Sequence, residues 1–364
     1  MTRKLPAVSR MVVKVGTSTL TDARGVLDDA QVRALAGDIA AARKRGVAVT
    51  LVSSGAIAAG LEPLGLSRRP SDIPSLQAAA SVGQGILMHA YQRAFARRRI
   101  PVGQVLLTQD DFVRRKSYLN AHHAVERLLR LDVVPIVNEN DAVAVEEIRF
   151  GDNDRLAALV SIMVHAQLLV ILSDIDGVYS ADPRRARADE PLHRVDDLSG
   201  LEQLRAGRRG SPLGSGGMAS KVEAVRTAAS AGTGVIIANG REARVLQRLL
   251  QGEDLGSFFA PHRARGRHRK LWIQFTVNPR GRIVVDEGAR RALVEGGKSL
   301  LPAGVVAAEG RFEVGDAVDV ATSDGVVFAR GITSYGADEL PALMGTSIRD
   351  GGRELIHRDS LVIL

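Results

Sequence analysis

Residues 135–143 read Pro135-Ile136-Val137-Asn138-Glu139-Asn140-Asp141-Ala142-Val143, and Gly151-Asp152-Asn153-Asp154 follows shortly after. An apolar run of strand length enters a crowd of amide and carboxylate side chains, and a second polar cluster then opens a helical stretch. Buried strands seldom end in so many polar groups unless those groups bind something. The pattern recurs in both directions. Residues 11–15, 47–52, 102–107, 133–137, 168–172 and 235–238 are apolar runs of strand length. Helical stretches lie between them at 75–97, 117–130, 153–165 and 218–231. A further helix starts at Asp28 or Asp29, carries Val32, Leu35, Ala36 and Ile39 on one face, and ends at Gly46. This alternation predicts an α/β domain with a mainly parallel sheet covered on both faces. Ligands on such sheets bind beyond the carboxyl ends of the strands. Lys14, Ser54, Asn138, Asp141 and Asp174 all stand at or just past such ends.

A chain of 364 residues is too long for one ordinary core. With 45% hydrophobic and 25% charged residues it reads as globular, and no run approaches the roughly 18 apolar residues of a membrane span. Residues 1–10 are basic with no apolar core behind them, which argues against a signal peptide. The absence of cysteine excludes disulfides, thiolate metal sites and a cysteine nucleophile, and fits a reducing cytoplasm. A net charge of +8 permits polyphosphate or nucleic-acid partners without selecting them. The alternation breaks at residues 261–270, which hold five Arg or Lys and no acid and read as an exposed basic linker. Beyond it come short strands at 283–285, 317–320, 326–330 and 361–364, separated by turn chemistry such as Ser323-Asp324-Gly325. The expected division is therefore residues 1–260, a linker at 261–270, and a small β-rich domain at 271–364.

Three segments carry phosphate chemistry. Lys14-Val15-Gly16-Thr17-Ser18 places an ammonium and a glycine at the end of the first strand, where backbone N–H groups can approach an anion. It is not a P-loop. Ser53-Ser54-Gly55-Ala56 repeats the arrangement after the second strand, with small residues entering a helix. Gly214-Ser215-Gly216-Gly217-Met218-Ala219-Ser220-Lys221 is more specific: a glycine-rich loop enters a helix, and Lys221 lies one turn in. Loop N–H groups, a helix terminus and an ammonium would converge there on one anion, most simply the β- and γ-phosphates of a nucleotide. In Asp152-Asn153-Asp154 one acid serves as a helix cap. The rest, with Asn138 and Asp141, exceed what capping needs and suit an α-ammonium group or a magnesium ion. Ser173-Asp174 ends another buried strand, and Asp174 is placed to orient Lys14 and Lys221 by charge pairing. His122 and His123 are neighbours whose side chains diverge by roughly 100° on a helix, so they form no chelating pair. No metal site is read from the sequence.

Taken together these residues resemble the glutamate 5-kinases, amino-acid kinases that carry a C-terminal PUA domain. The likeness runs from Met11 to about Asp359. It rests on Val13 to Ser18, Ser54 to Gly60, Val82-Gly83-Gln84, Val137 to Val143, Gly151 to Asp154, Gly216 to Met218 with Lys221, and Asp286 to Ala289. The resemblance implies an αβα sandwich that binds ATP and glutamate along the sheet's carboxyl edge, followed by a small PUA-like barrel. By the same resemblance Lys14 and Lys221 hold the ATP phosphates, while Ser173, Asp174 and Ser215 to Lys221 contact the nucleotide. Ser54, Asp141 and Asn153 bind glutamate, with Asn138, Asp152 and Asp154 nearby. Ser53 and Ser173 replace threonines common in the family, and Ala219-Ser220 replaces a Ser-Thr or Ala-Thr pair, in each case keeping size or hydroxyl character. ATP, Mg²⁺, a dimer or tetramer, and feedback inhibition by proline are further implications, with proline biosynthesis in the cytoplasm as the setting. No membrane partner is expected.

Two other readings compete. A sister kinase acting on aspartate, N-acetylglutamate, carbamate or UMP shares the fold. An N-acetylated substrate, however, would not need the acids between Asp141 and Asp154. RNA binding by the PUA-like tail is the second, disfavoured by an aromatic content of only 4%, since single-strand readers stack bases on rings.

Overall fold

The computed structural model describes residues 3, 5–22, 24–143, 153–179, 191–198, 217–262, 270, 273, 279–346 and 353–364. The chain divides into two units. One comprises Met1–Asp111 with Leu119–Ala264, the other Phe112–Tyr118 with Arg265–Leu364. Most of the expected basic linker, residues 263–269, lies outside the described residues.

The first unit is built on strands β1 (Arg10–Val15), β2 (Ala48–Ser53), β3 (Val102–Leu107), β4 (Val134–Glu139), β5 (Leu168–Ser173), β6 (Arg194–Val195), β7 (Gly234–Asn239) and β8 (Ser257–Phe259). They form one sheet in the order β3-β4-β2-β1-β5-β7-β8-β6, parallel except where β8 runs against β7. The central strands are continuous Val, Ile and Leu runs because both their faces are covered. Short helices α1 (Thr17–Leu20) and α5 (Gln109–Val113) follow β1 and β3. Met11, Val13 and Val15 point into a core shared with α2 (Asp29–Lys44), α4 (Ile73–Ala96) and α9 (Val245–Leu250). Strand alternation sends Val12 and Lys14, both buried, to the opposite face. There lie α7 (Asn153–Met163) and α8 (Met218–Ser230). Asp28 is the cap of α2, accepting from the Ala30 N–H at 2.8 Å. The helix expected at 75–97 begins slightly earlier, with Asp72 accepting from the Ser75 N–H at 2.9 Å.

Glycine sets the register of α3 (Ala56–Leu61) on α4. A Cβ on Gly83 would stand 1.8 Å from the Ala56 carbonyl oxygen, and one on Gly60 would stand 1.9 Å from that of Ala79. The two helices meet backbone to backbone, which fixes α4 against the segment that leaves β2.

The second unit holds a five-stranded sheet of β9 (Gly281–Val285), β10 (Val305–Gly310), β11 (Ala317–Ala321), β12 (Val327–Ile332) and β13 (Leu361–Ile363), ordered β10-β9-β11-β12-β13. Its core gathers Ile283, Val285, Leu293, Val318, Val320 and Ala329. Strand β10 gave no sequence signal, because its residues alternate weakly and end in Glu309-Gly310. Val113 and Tyr118 pack with Ile273, Ala317 and Val362 in this unit, although they precede it by about 150 residues of chain. No described helix is long and apolar enough to cross a membrane.

Candidate active site

Strands β1, β2, β4 and β5 are parallel neighbours, so their carboxyl ends deliver Lys14, Ser53-Ser54, Asn138 and Ser173-Asp174 to one edge of the sheet. Two backbone bonds lock this edge: Gly16 N–H to Leu172 O at 3.2 Å, and Ser54 N–H to Val15 O at 3.1 Å. Gly55, at φ +104°, takes the left-handed turn from β2 into α3 that a side chain would resist.

Two consecutive residues at the start of α7 organise the site. Asp154 is completely buried. One of its oxygens lies 2.6 Å from Lys14 Nζ, and the other accepts a hydrogen bond from Lys221 Nζ at 3.0 Å. The lysines come from opposite sides of the sequence, from β1 and from the first turn of α8, and both are almost fully buried. Long flexible cations are buried only when paired; here one carboxylate holds two of them at fixed separation. Its neighbour Asn153 turns the other way. Asn153 Nδ2 donates to Ser53 O at 3.1 Å, Ser54 Oγ at 3.0 Å and Asn138 Oδ1 at 2.9 Å. Asn138 Nδ2 in turn donates to Gln84 Oε1 at 2.9 Å. Beneath Ser54, the hydroxyls of Ser53 and Tyr91 lie 2.7 Å apart, and burial holds the Tyr91 phenol well above its usual range. The site thus has a cationic half around Asp154 and an amide and hydroxyl half around Asn153.

One expectation needs correction. Asp174, read as the residue that orients both lysines, is exposed and accepts a hydrogen bond from Ser173 Oγ at 3.0 Å. Asp154, placed by the sequence among the glutamate-side residues, holds the lysines instead. Asp141 lies half-buried in the turn after β4. Gly217 caps α8, and its carbonyl accepts from Ser220 Oγ at 2.8 Å; Met218, Ala219 and Ser220 form the helix's first turn ahead of Lys221. Asp152, Ser215 and Gly216 lie outside the described residues. Gln84 and Tyr91 were not singled out for a role. Their signal was a polar residue on the buried face of α4, in line with Ala80, Leu87 and Tyr91 at helical spacing.

Among the described residues no cluster of three or more His, Cys, Asp or Glu is able to hold a metal ion.

A model of the amino acid kinase family matches residues 9–239, and a PUA domain model matches residues 281–349. Glutamate 5-kinase of Streptomyces avermitilis is 50% identical over 366 residues, covering 98% of this chain and 96% of that protein. Glutamate 5-kinase of Syntrophotalea carbinolica is 46% identical over 367 residues, covering 99% and 98%. A UMP kinase from Bacillus anthracis superposes with a TM-score of 0.48 at 14% identity, over 70% of this chain and 97% of that one. With a buried Lys14–Asp154–Lys221 site on an α/β sheet and relatives of this identity along nearly its whole length, the chain belongs to the glutamate 5-kinases of the amino acid kinase family, with a C-terminal PUA domain.

Proposed function

We propose that this chain transfers the γ-phosphoryl group of ATP to the γ-carboxylate of L-glutamate, giving L-glutamyl 5-phosphate and ADP in the first step of proline biosynthesis. The observation that carries the reading is the buried Asp154 carboxylate gripping Lys14 and Lys221 beside the Asn153 cluster. The acceptor carboxylate is ionised at neutral pH, so the reaction needs no general base. Its oxygen forms a bond to the γ-phosphorus while the bond to the β,γ-bridging oxygen breaks, and ADP leaves with that electron pair. The obstacle is repulsion between two anions. Lys14 and Lys221 offset it, and Asp154 keeps both ammoniums in place before the nucleotide arrives, so little reorganisation is needed during transfer.

Ser173, Asp174 and the segment Ser215 to Lys221 serve the nucleotide, and the glycine-capped start of α8 suits its phosphates. Asp174, an exposed carboxylate at the strand edge, would be available to hold Mg²⁺ bound with ATP, which would neutralise phosphate charge. Ser54, Asn138, Asp141, Asp152 and Asn153 serve glutamate, the acids answering its α-ammonium. Proline, which shares that ammonium and carboxylate, would compete at the same place. A homo-oligomer in the cytoplasm completes the reading. RNA binding by the C-terminal unit rests on fold analogy alone.

The test is acceptor-dependent ADP release from Mg-ATP. Glutamate is expected to stimulate it, and aspartate and N-acetylglutamate are not. ADP release with N-acetylglutamate but not glutamate would move the chain to a sister activity.

A further inference from the structure

The motif Val82-Gly83-Gln84 is not accounted for by the phosphoryl-transfer chemistry. Gly83 brings α4 against α3, and the next residue carries an amide into the glutamate half of the site. The orientation of that amide follows from a hydrogen-bond chain of one polarity. The Glu139 backbone N–H and Asn153 Nδ2 both donate to Asn138 Oδ1, each at 2.9 Å. The other end of Asn138 is therefore its NH₂ group, which donates to Gln84 Oε1 at 2.9 Å. The far end of Gln84 is then an NH₂ group too, and Gln84 Nε2 is buried with no hydrogen-bond partner. Turning the Gln84 amide over would set two NH₂ groups against each other. At the opposite end of the chain Asn153 Nδ2 is committed to three oxygens, and Asn153 Oδ1 is buried without a donor. The network closes internally except for one donor and one acceptor, in a place where unpaired polar atoms are costly.

We infer that Gln84 is a further substrate-binding residue: its NH₂ group donates to the main-chain carboxylate of the amino-acid acceptor, while Asn153 Oδ1 accepts from the α-ammonium. The inference rests on the site being that of a glutamate kinase. Sheet order decides which end of the acceptor is met. Lys14 ends β1, whereas Asn138 belongs to β4, two strands away on the far side of β2. The reacting γ-carboxylate faces the lysines, so the Gln84–Asn138 end meets the part that does not react. A zwitterionic head takes donors at its carboxylate and acceptors at its ammonium, and the network leaves one of each beside the acids.

The test is steady-state kinetics of full-length Gln84→Glu, with glutamate and ATP varied in turn. Glutamate in place of Gln84 keeps an oxygen for Asn138 and exchanges the donor for an anionic oxygen. The expected result is a rise in the glutamate KM of about tenfold to a hundredfold, with the ATP KM and kcat within about twofold. That split belongs to binding of a non-reacting group; a structural role would move all three. Should Gln84→Glu not fold, Gln84→Met removes the donor without adding charge, and the same selective rise in KM is expected. An unchanged glutamate KM in a folded variant overturns the inference. So does a fall in kcat equal to the rise in KM. Wild-type protein run alongside separates the two claims: no glutamate turnover in wild type sinks the functional reading itself, whereas normal wild-type turnover with an indifferent Gln84 variant sinks only this assignment.

Discussion

Asp154→Asn is the sharpest perturbation of the site, because it takes the same carboxylate from two buried cations while keeping the side chain's shape. The separations are 2.6 and 3.0 Å, and Asp154 has no exposed surface. At an effective dielectric of about 20 each contact is worth about 6 kcal/mol of Coulomb attraction, most of which desolvation cancels. Deleting one partner of a buried pair typically costs about 3–5 kcal/mol, and with two lysines affected the upper end is expected. For a unit of this size that lowers Tm by roughly 10–20 °C. Added tripolyphosphate should restore more stability to the variant than to the wild type, because an anion that binds the lysines replaces the lost charge. Turnover should fall by about a hundredfold to a thousandfold, the range for losing one preorganised electrostatic contact. Differential scanning fluorimetry with and without tripolyphosphate reads the first two effects, and coupled ADP release reads the third. A variant melting within about 2 °C of wild type, with turnover within about threefold, would refute the reasoning.

Lys221→Ala should lower kcat by about a hundredfold or more while the protein stays folded, since Asp154 keeps Lys14; near-normal turnover would remove Lys221 from the transfer step. Gly83→Ala places a methyl group 1.8 Å from a backbone oxygen, so it should destabilise by at least about 2 kcal/mol in urea unfolding and raise the glutamate KM through displaced Ser54. Gly85→Ala, with nothing within 4 Å of its Cβ, should instead stabilise by about 0.5–1 kcal/mol. Glu126 joins α6 (Arg115–Arg130) to the start of β1 through a two-pronged ion pair with Arg10. Burial alone would raise the Glu126 carboxyl, but the hydrogen bonds and charge of Arg10 outweigh it and hold it below the ordinary range. A depressed folded-state value stabilises above the unfolded value and is lost as pH falls through the folded one. Glu126→Gln should therefore cost about 1 kcal/mol at pH 7, and the gap should close as pH falls below about 4.

The central strands were legible because a parallel sheet covered on both faces leaves runs such as Leu168-Leu169-Val170-Ile171-Leu172. Strands β6 and β8 were not: two and three residues long, they carry no period to read. The polar strand ends were equally plain, which is why Lys14, Ser54 and Asn138 could be proposed from order alone, whereas Asn153 came from the polar cluster that opens the next helix. The choice between Asp154 and Asp174 could not be made that way. Asp174 closes an apolar strand and Asp154 opens an apolar helix, and only the seating of α7 over β1 and beside α8 puts one of them between two lysines. Gln84 shows a third case. Its helical spacing marked it as a polar residue on a buried face, but its partner is set by the register of α3 on α4, which Gly60 and Gly83 dictate by backbone contact.

The central claim is that phosphoryl transfer ends on the side-chain carboxylate of free glutamate. The most direct measurement is to run the reaction with Mg-ATP, glutamate and hydroxylamine, then isolate the trapped hydroxamate and establish which carbonyl carries it by NMR. The 5-hydroxamate of glutamate, formed in step with ADP, is the result this account predicts. The 1-hydroxamate, or ADP release with no hydroxamate at all, would contradict it.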